Sequence, residues 1–110
     1  MSAYAIAHLR NVVWGPEIVE YLERIDATLE PYDGRFLIHG ARAEVLEGRW
    51  TGDVMVIEFP DNERARAWYR SPAYWAILPL LTASAETDVV LLEGVAEGHR
   101  ATDVLIGAAR

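Results

Sequence analysis

The feature that most constrains this chain is the order in which its hydrophobic period changes. Segments alternating every two residues, as strands do, are interleaved with segments repeating every three to four, as helices do, in the order β-α-β-β-α-β. "SAYAIAHL" sets Tyr4, Ile6 and His8 against Ala3, Ala5 and Ala7, which is strand alternation. Gly15-Pro16 then opens "PEIVEYLERIDATLEPY", where Ile18, Leu22, Ile25 and Leu29 share one helical face and the charged residues face elsewhere; Pro31 stops it. "YDGRFLIHGA" begins with an Asp-Gly turn and continues as a second strand through Phe36, Leu37, Ile38 and His39. "RAEVLEGRWTG" reads as an extension of that strand after a glycine bulge at Gly40, before a turn at Gly48 to Gly52. "DVMVIEFP", rich in β-branched residues and closed by Pro60, is the clearest strand. "DNERARAWYRS" follows as a helix with Asp61 or Asn62 as N-cap. Ser71-Pro72 breaks it, "PAYWAILPLLTASAE" restarts it, and "TDVVLLEGV" supplies a fourth strand ending at Gly94.

That order has an economical solution. It is the ferredoxin-like α+β fold, a four-stranded antiparallel sheet with two helices on one face, placed there by right-handed crossovers. The 110 residues suit one domain, residues 1 to 95. Residues 96 to 110, with the apolar run Val104, Leu105, Ile106, read as a C-terminal extension or a mobile end.

Strand parity sorts the sheet's side chains. Ala5, Ala7, Phe36, Ile38, Met55, Ile57 and Phe59 form an apolar set suited to lie under the helices. The opposite set is mixed: Tyr4, Ile6 and His8, then Arg35, Leu37 and His39, then Val54, Val56 and Glu58, then Val89, Leu91 and Glu93. A patch of Ile6, Leu37, Val54, Val56 and Leu91 is too apolar to stay wet on a monomer. The expectation is a homodimer in which two such faces meet.

Composition narrows the chemistry. Seventeen acids against ten bases give a formal charge of −7, and the bases are scattered, which argues against nucleic acid as a partner. No apolar run approaches the length of about 18 residues that suggests a membrane span. The opening "MSAYAIAHLR" does not read as a signal peptide, so a cytoplasmic location is expected. With no Cys and no Lys, thiolate nucleophiles, cysteine metal sites and Schiff-base lysines are excluded. Neither a glycine-rich phosphate loop nor a GxSxG elbow occurs, so no cofactor is indicated.

Several stretches, "AYAIAHL", "YDGRFLIHGARAEVLEG" followed by Trp50, "VIEFP" and "AWYRSPAY", resemble the domain-of-unknown-function 1330 family of the dimeric α/β-barrel superfamily, over roughly residues 3 to 94. The resemblance implies the ferredoxin-like fold and the dimer, and it implies no particular reaction. Relatives of that architecture include cofactor-free monooxygenases, muconolactone-type isomerases and plain ligand binders. Two departures remove a permanent positive charge: His39 and Leu81 stand where the family usually has Arg.

Two groups of residues carry the candidate chemistry. His8, His39, Glu58 and Arg35, with Tyr4 and Glu93 nearby on the mixed face, have the composition of a general base with an orienting carboxylate. The same residues would also suit a polar network at a dimer interface. His8, His39 and Glu58 are also the sole conceivable metal set, with no spacing motif behind it. Trp50, Tyr69, Tyr74 and Trp75 are candidate walls of a ligand pocket, against the plainer role of core filling for the aromatic block. Two functions follow: a cofactor-independent enzyme of isomerase, cyclase or monooxygenase type acting by proton abstraction on an aromatic or hydrophobic metabolite, or a non-catalytic dimeric ligand-binding or interaction module.

Overall fold

A computed structural model describes residues 1–108. Strand β1 (Ala3–Arg10) leads into α1 (Pro16–Leu29), a 3₁₀ turn at Glu30–Tyr32, and β2 (Arg35–Ile38). Then come β3 (Asp53–Phe59), α2 (Asn62–Arg70), α3 (Pro72–Thr82) and β4 (Glu86–Glu93). The sheet order is β2-β3-β1-β4 and each neighbouring pair is antiparallel. This is the ferredoxin-like arrangement, with the second helix in two pieces as the Ser71-Pro72 break predicts.

The break is built locally. Asp61 caps α2 by accepting from the Arg64 backbone N–H. Ser71 serves both helices at once, donating to the Trp68 carbonyl at 2.7 Å and accepting from the Tyr74 N–H at 3.2 Å. The chain therefore turns with no unsatisfied buried polar side chain among the described residues.

Small side chains on β1 decide how the helix layer packs. Ala3, Ala5 and Ala7 are buried and leave room for large aromatics above them. Trp68 fills it, its ring centroid 4.2 Å from that of Tyr74 and 5.4 Å from that of Phe59. Each such fully buried side chain stabilises the fold by about 1.5–3 kcal/mol. The Trp68 indole N–H donates to Thr28 Oγ1, which donates onward to the Ile25 carbonyl, so the one polar atom of that ring is satisfied. The aromatic block is thus chiefly core.

Three expectations about the sheet are corrected. Residues 39 to 52 form no strand, so β2 does not continue past Gly40, whose φ of 78° turns the chain away. The irregularity lies earlier: Phe36 pairs with Ile57 and Ile38 with Val56, leaving Leu37 as an extra residue. That bulge reverses parity, so Ile38 joins the open face at 45% exposure instead of the core. In β4, Ile6 pairs with Val90 and Tyr4 with Leu92, which puts Val90 and Leu92 on the open face. Val89 and Leu91 pack against the core, and Glu93, opposite Ala3, leaves the mixed set.

The tail beyond β4 carries a 3₁₀ turn at Ala101–Asp103 and a short helix α4 (Val104–Ala108), with Val104, Leu105 and Ile106 exposed. The last two residues of the predicted extension lie outside the described residues. No helix among the described residues is long and apolar enough to cross a membrane.

Candidate functional site

The two faces of the sheet hold two different sites. On the open face, the register aligns Ile38, Val56, Ile6 and Val90 in one apolar row across all four strands. At one end of that row Arg35 grips Glu58 Oε1 through Nε at 2.9 Å and Nη2 at 2.7 Å, while the Tyr4 hydroxyl lies 3.4 Å from Oε2. The Arg35 hydrogen bonds hold the Glu58 carboxyl below the usual carboxylate range despite its partial desolvation. Glu58 is thereby an acceptor already engaged, the structural alternative anticipated for it.

At the other end sits His8. Its Nε2 lies 2.7 Å from the Thr51 carbonyl and its Nδ1 lies 2.9 Å from Arg10 Nη1. A guanidinium donates and cannot accept, so Nδ1 is the acceptor and the ring proton sits on Nε2. Arg10 also reaches Asp88 at 2.7 Å, and the Trp50 indole stacks on the imidazole at 4.7 Å. Both nitrogens of His8 are thus engaged and one ring face is covered.

His39 is elsewhere. The Leu37 bulge delivers it to the helix side, where its ring stacks on Phe36 with centroids 4.4 Å apart. The expected constellation of His8, His39, Glu58 and Arg35 therefore does not assemble, and among the described residues no group of three or more His, Asp or Glu is placed to hold a metal.

What His39 does line is a cavity of about 230 Å³ at the end of the helix layer. Its apolar walls include Leu9 of β1, Ile18 and Leu22 of α1, Met55 of β3 and Leu81 of α3. The residues with polar side chains that line it are His39, Tyr21 and Asp53, and the exposed Trp14 lines it as well. His39 and Asp53, both exposed, make no side-chain hydrogen bond or ion pair among the described residues. Tyr21 differs: its hydroxyl is 3.0 Å from that of Tyr74. Burial, with Tyr74 adjacent, pushes the Tyr21 phenol far above its ordinary range, and burial pushes Tyr74 up to about 12. Neither phenol is a base at neutral pH.

Of the predicted walls, none lines this cavity. Tyr74 is buried one residue behind it, Tyr69 is half-buried against Trp68 and Tyr74, and Trp75 points outward at 56% exposure. Trp50 instead lines a smaller hollow of about 150 Å³ by Ile38 and Val54. Sequence reasoning missed Tyr21 and Asp53. Tyr21 had a legible signal, since it lies one residue before Leu22 on the buried side of α1. Both departures from the family pattern, His39 and Leu81, meet at this cavity.

An antiparallel sheet in the order β2-β3-β1-β4, helices on one side and a small cavity under their end, defines a ferredoxin-like α+β protein. Within that class the chain belongs to the family described as Domain of unknown function (DUF1330), which residues 2–95 match. No curated protein matches the chain in sequence. Among solved structures, it resembles the RPA0582 protein of unknown function from Rhodopseudomonas palustris, with a TM-score of 0.66 at 16% identity over 86% of this chain and 83% of that one. A dimeric ferredoxin-like protein of unknown function from Jannaschia sp. CCS1 gives 0.66 at 17%, covering 86% and 100%. SnoaB from Streptomyces nogalater, described as a cofactor-independent oxygenase, gives 0.54 at 16%, covering 90% and 98%.

Proposed function

We propose that the protein is a cofactor-independent enzyme that moves a proton on a small aromatic or hydrophobic metabolite held in the helix-side cavity, with His39 as proton acceptor. One observation carries this reading: an imidazole with both nitrogens free of protein partners at the edge of an apolar cavity. A general base needs an open lone pair within reach of the substrate. His39 has one, and His8 does not. Stacking on Phe36 fixes the plane of the His39 ring. Removing a proton from an acidic C–H or O–H leaves a carbanion, enolate or phenolate that the substrate's own conjugation stabilises, and isomerisation or reaction with oxygen can follow. The description of SnoaB as a cofactor-independent oxygenase is in keeping with such chemistry on this fold.

The open face belongs to assembly in this reading. The dimeric description of the Jannaschia relative supports a homodimer, and the apolar row supports pairing face to face. Arg35, Glu58, Tyr4, His8 and Trp50 are then interface residues: Arg35, Glu58 and Tyr4 bond to one another, and His8 is held by Thr51 and Arg10 under Trp50.

Binding without turnover is the second reading. The cavity is smaller than the roughly 300 Å³ usual for ligand sites, which favours a binder of compact molecules. Deuterium exchange separates the two. 2-Tetralone, a two-ring carbon acid, is incubated with protein in heavy water and its mass followed. Wild type is expected to accelerate exchange over buffer by about 10² or more, His8→Gln to match it, and His39→Gln to fall back to the buffer rate with its melting temperature unchanged. A His39→Gln protein as fast as wild type removes His39 from the mechanism. Binding without exchange in wild type selects the second reading.

A further inference from the structure

Resting on the reading of the helix-side cavity as the ligand site, we infer that it selects an uncharged hydroxylated compound of one or two rings over the corresponding carboxylate, and that Asp53 sets this choice. Cross-strand pairing of Asp53 with Leu9 brings its side chain to the helix side, at the cavity. Asp53 is the one Asp, Glu or Arg residue lining the cavity among the described residues, and no arginine among them lies within ion-pair distance of it, although Arg42 shares the neighbouring hollow with it. Arg10, the nearest arginine along β1, is held by His8 and Asp88 on the other side. The formal charge of −7 adds a long-range field of the same sign.

An anion entering this cavity would meet like charge at its exposed edge, beside apolar walls, and find no cationic partner, an arrangement that works against a specific class of ligand. A hydroxyl group meets the opposite situation. It can donate to the Asp53 carboxylate or to a free ring nitrogen of His39, and both are acceptors without protein partners. Size sets the rest of the ligand. An apolar cavity of about 150 Å³ accommodates benzene, so about 230 Å³ admits a substituted ring or a compact fused pair.

The test is a matched pair of probes, 2-naphthol and 2-naphthoate, titrated into the wild-type protein at a pH above the ordinary imidazole range. Amide chemical shifts of residues lining the cavity and Trp14 fluorescence report binding. The naphthol is expected to bind at least about tenfold tighter than the naphthoate, as one like charge at contact range demands. Asp53→Asn, an exposed position at the start of β3, is expected to shift the naphthol-to-naphthoate affinity ratio by about tenfold toward naphthoate. Naphthoate binding as tight as naphthol in the wild type, or an unchanged ratio in Asp53→Asn, overturns the charge selection and leaves the cavity reading standing. If neither probe shifts the cavity resonances, the cavity reading fails and this inference with it.

Discussion

Two histidines of one chain show how surroundings decide what a residue type can do. His8 is locked between a carbonyl and a guanidinium under an indole, whereas His39 lines a cavity with no protein partner for either nitrogen among the described residues. Composition alone made them equal candidates, because nothing in a sequence shows which lone pairs are already engaged. The tyrosines carry the same lesson. Tyr74 stands out in the aromatic block, yet its partner Tyr21 lies 53 positions away and is found only when the helices pack. Tyr21→Phe should leave the buried Tyr74 hydroxyl without its partner and destabilise the protein by about 1–3 kcal/mol. Adding Tyr74→Phe should cost less than the two single changes summed, since the second substitution removes the orphaned group. Urea denaturation of the four proteins in the cycle measures this; strictly additive losses would mean the two hydroxyls do not depend on each other.

At the level of elements, strands and helices were legible wherever period and punctuation agreed. Asp61, Ser71-Pro72 and Pro31 mark boundaries that the structure respects. Facing was less legible. Val89, Val90, Leu91 and Leu92 are apolar on both sides of β4, so alternation gives no parity, and only pairing with β1 assigns it. A bulge in β2 is hidden for a related reason, because Phe36, Leu37 and Ile38 form an unbroken apolar run. The return into β3 depends on Gly52, where φ is 88° and a Cβ would collide with the Leu9 carbonyl. That tight passage also carries the Thr51 carbonyl to His8. Gly52→Ala should therefore destabilise by well over 1 kcal/mol, roughly, beyond the cost of a left-handed alanine alone. Gly48 has a similar φ of 73° but open space around it, so Gly48→Ala supplies the control and should cost only about 1 kcal/mol. Equal losses in thermal or chemical unfolding would show that crowding at Leu9 is unimportant.

For the whole molecule, the sheet separates two environments, one on each side. Helices and cavity occupy one side; Ile38, Val56, Ile6 and Val90 run across the other with Leu92 beside them at 54% exposure. Val56→Arg puts a charge in the middle of that row, and sedimentation should then show a monomer where wild type sediments as a dimer, with 2-naphthol binding retained within about threefold. A wild-type protein that sediments as a monomer at micromolar concentration would remove the face-to-face assembly. The fold was legible because it follows from repeated patterns spread over many residues; the cavity was not, because it depends on which few side chains a one-residue bulge in one strand brings together. Leu37 makes the point for evolution. A descendant one codon shorter at that kink would keep its imidazole where it now stands, whereas one that straightened it at equal length would swing the ring to the opposite surface. Position in an alignment is therefore no guarantee that a histidine does the same work in two lineages.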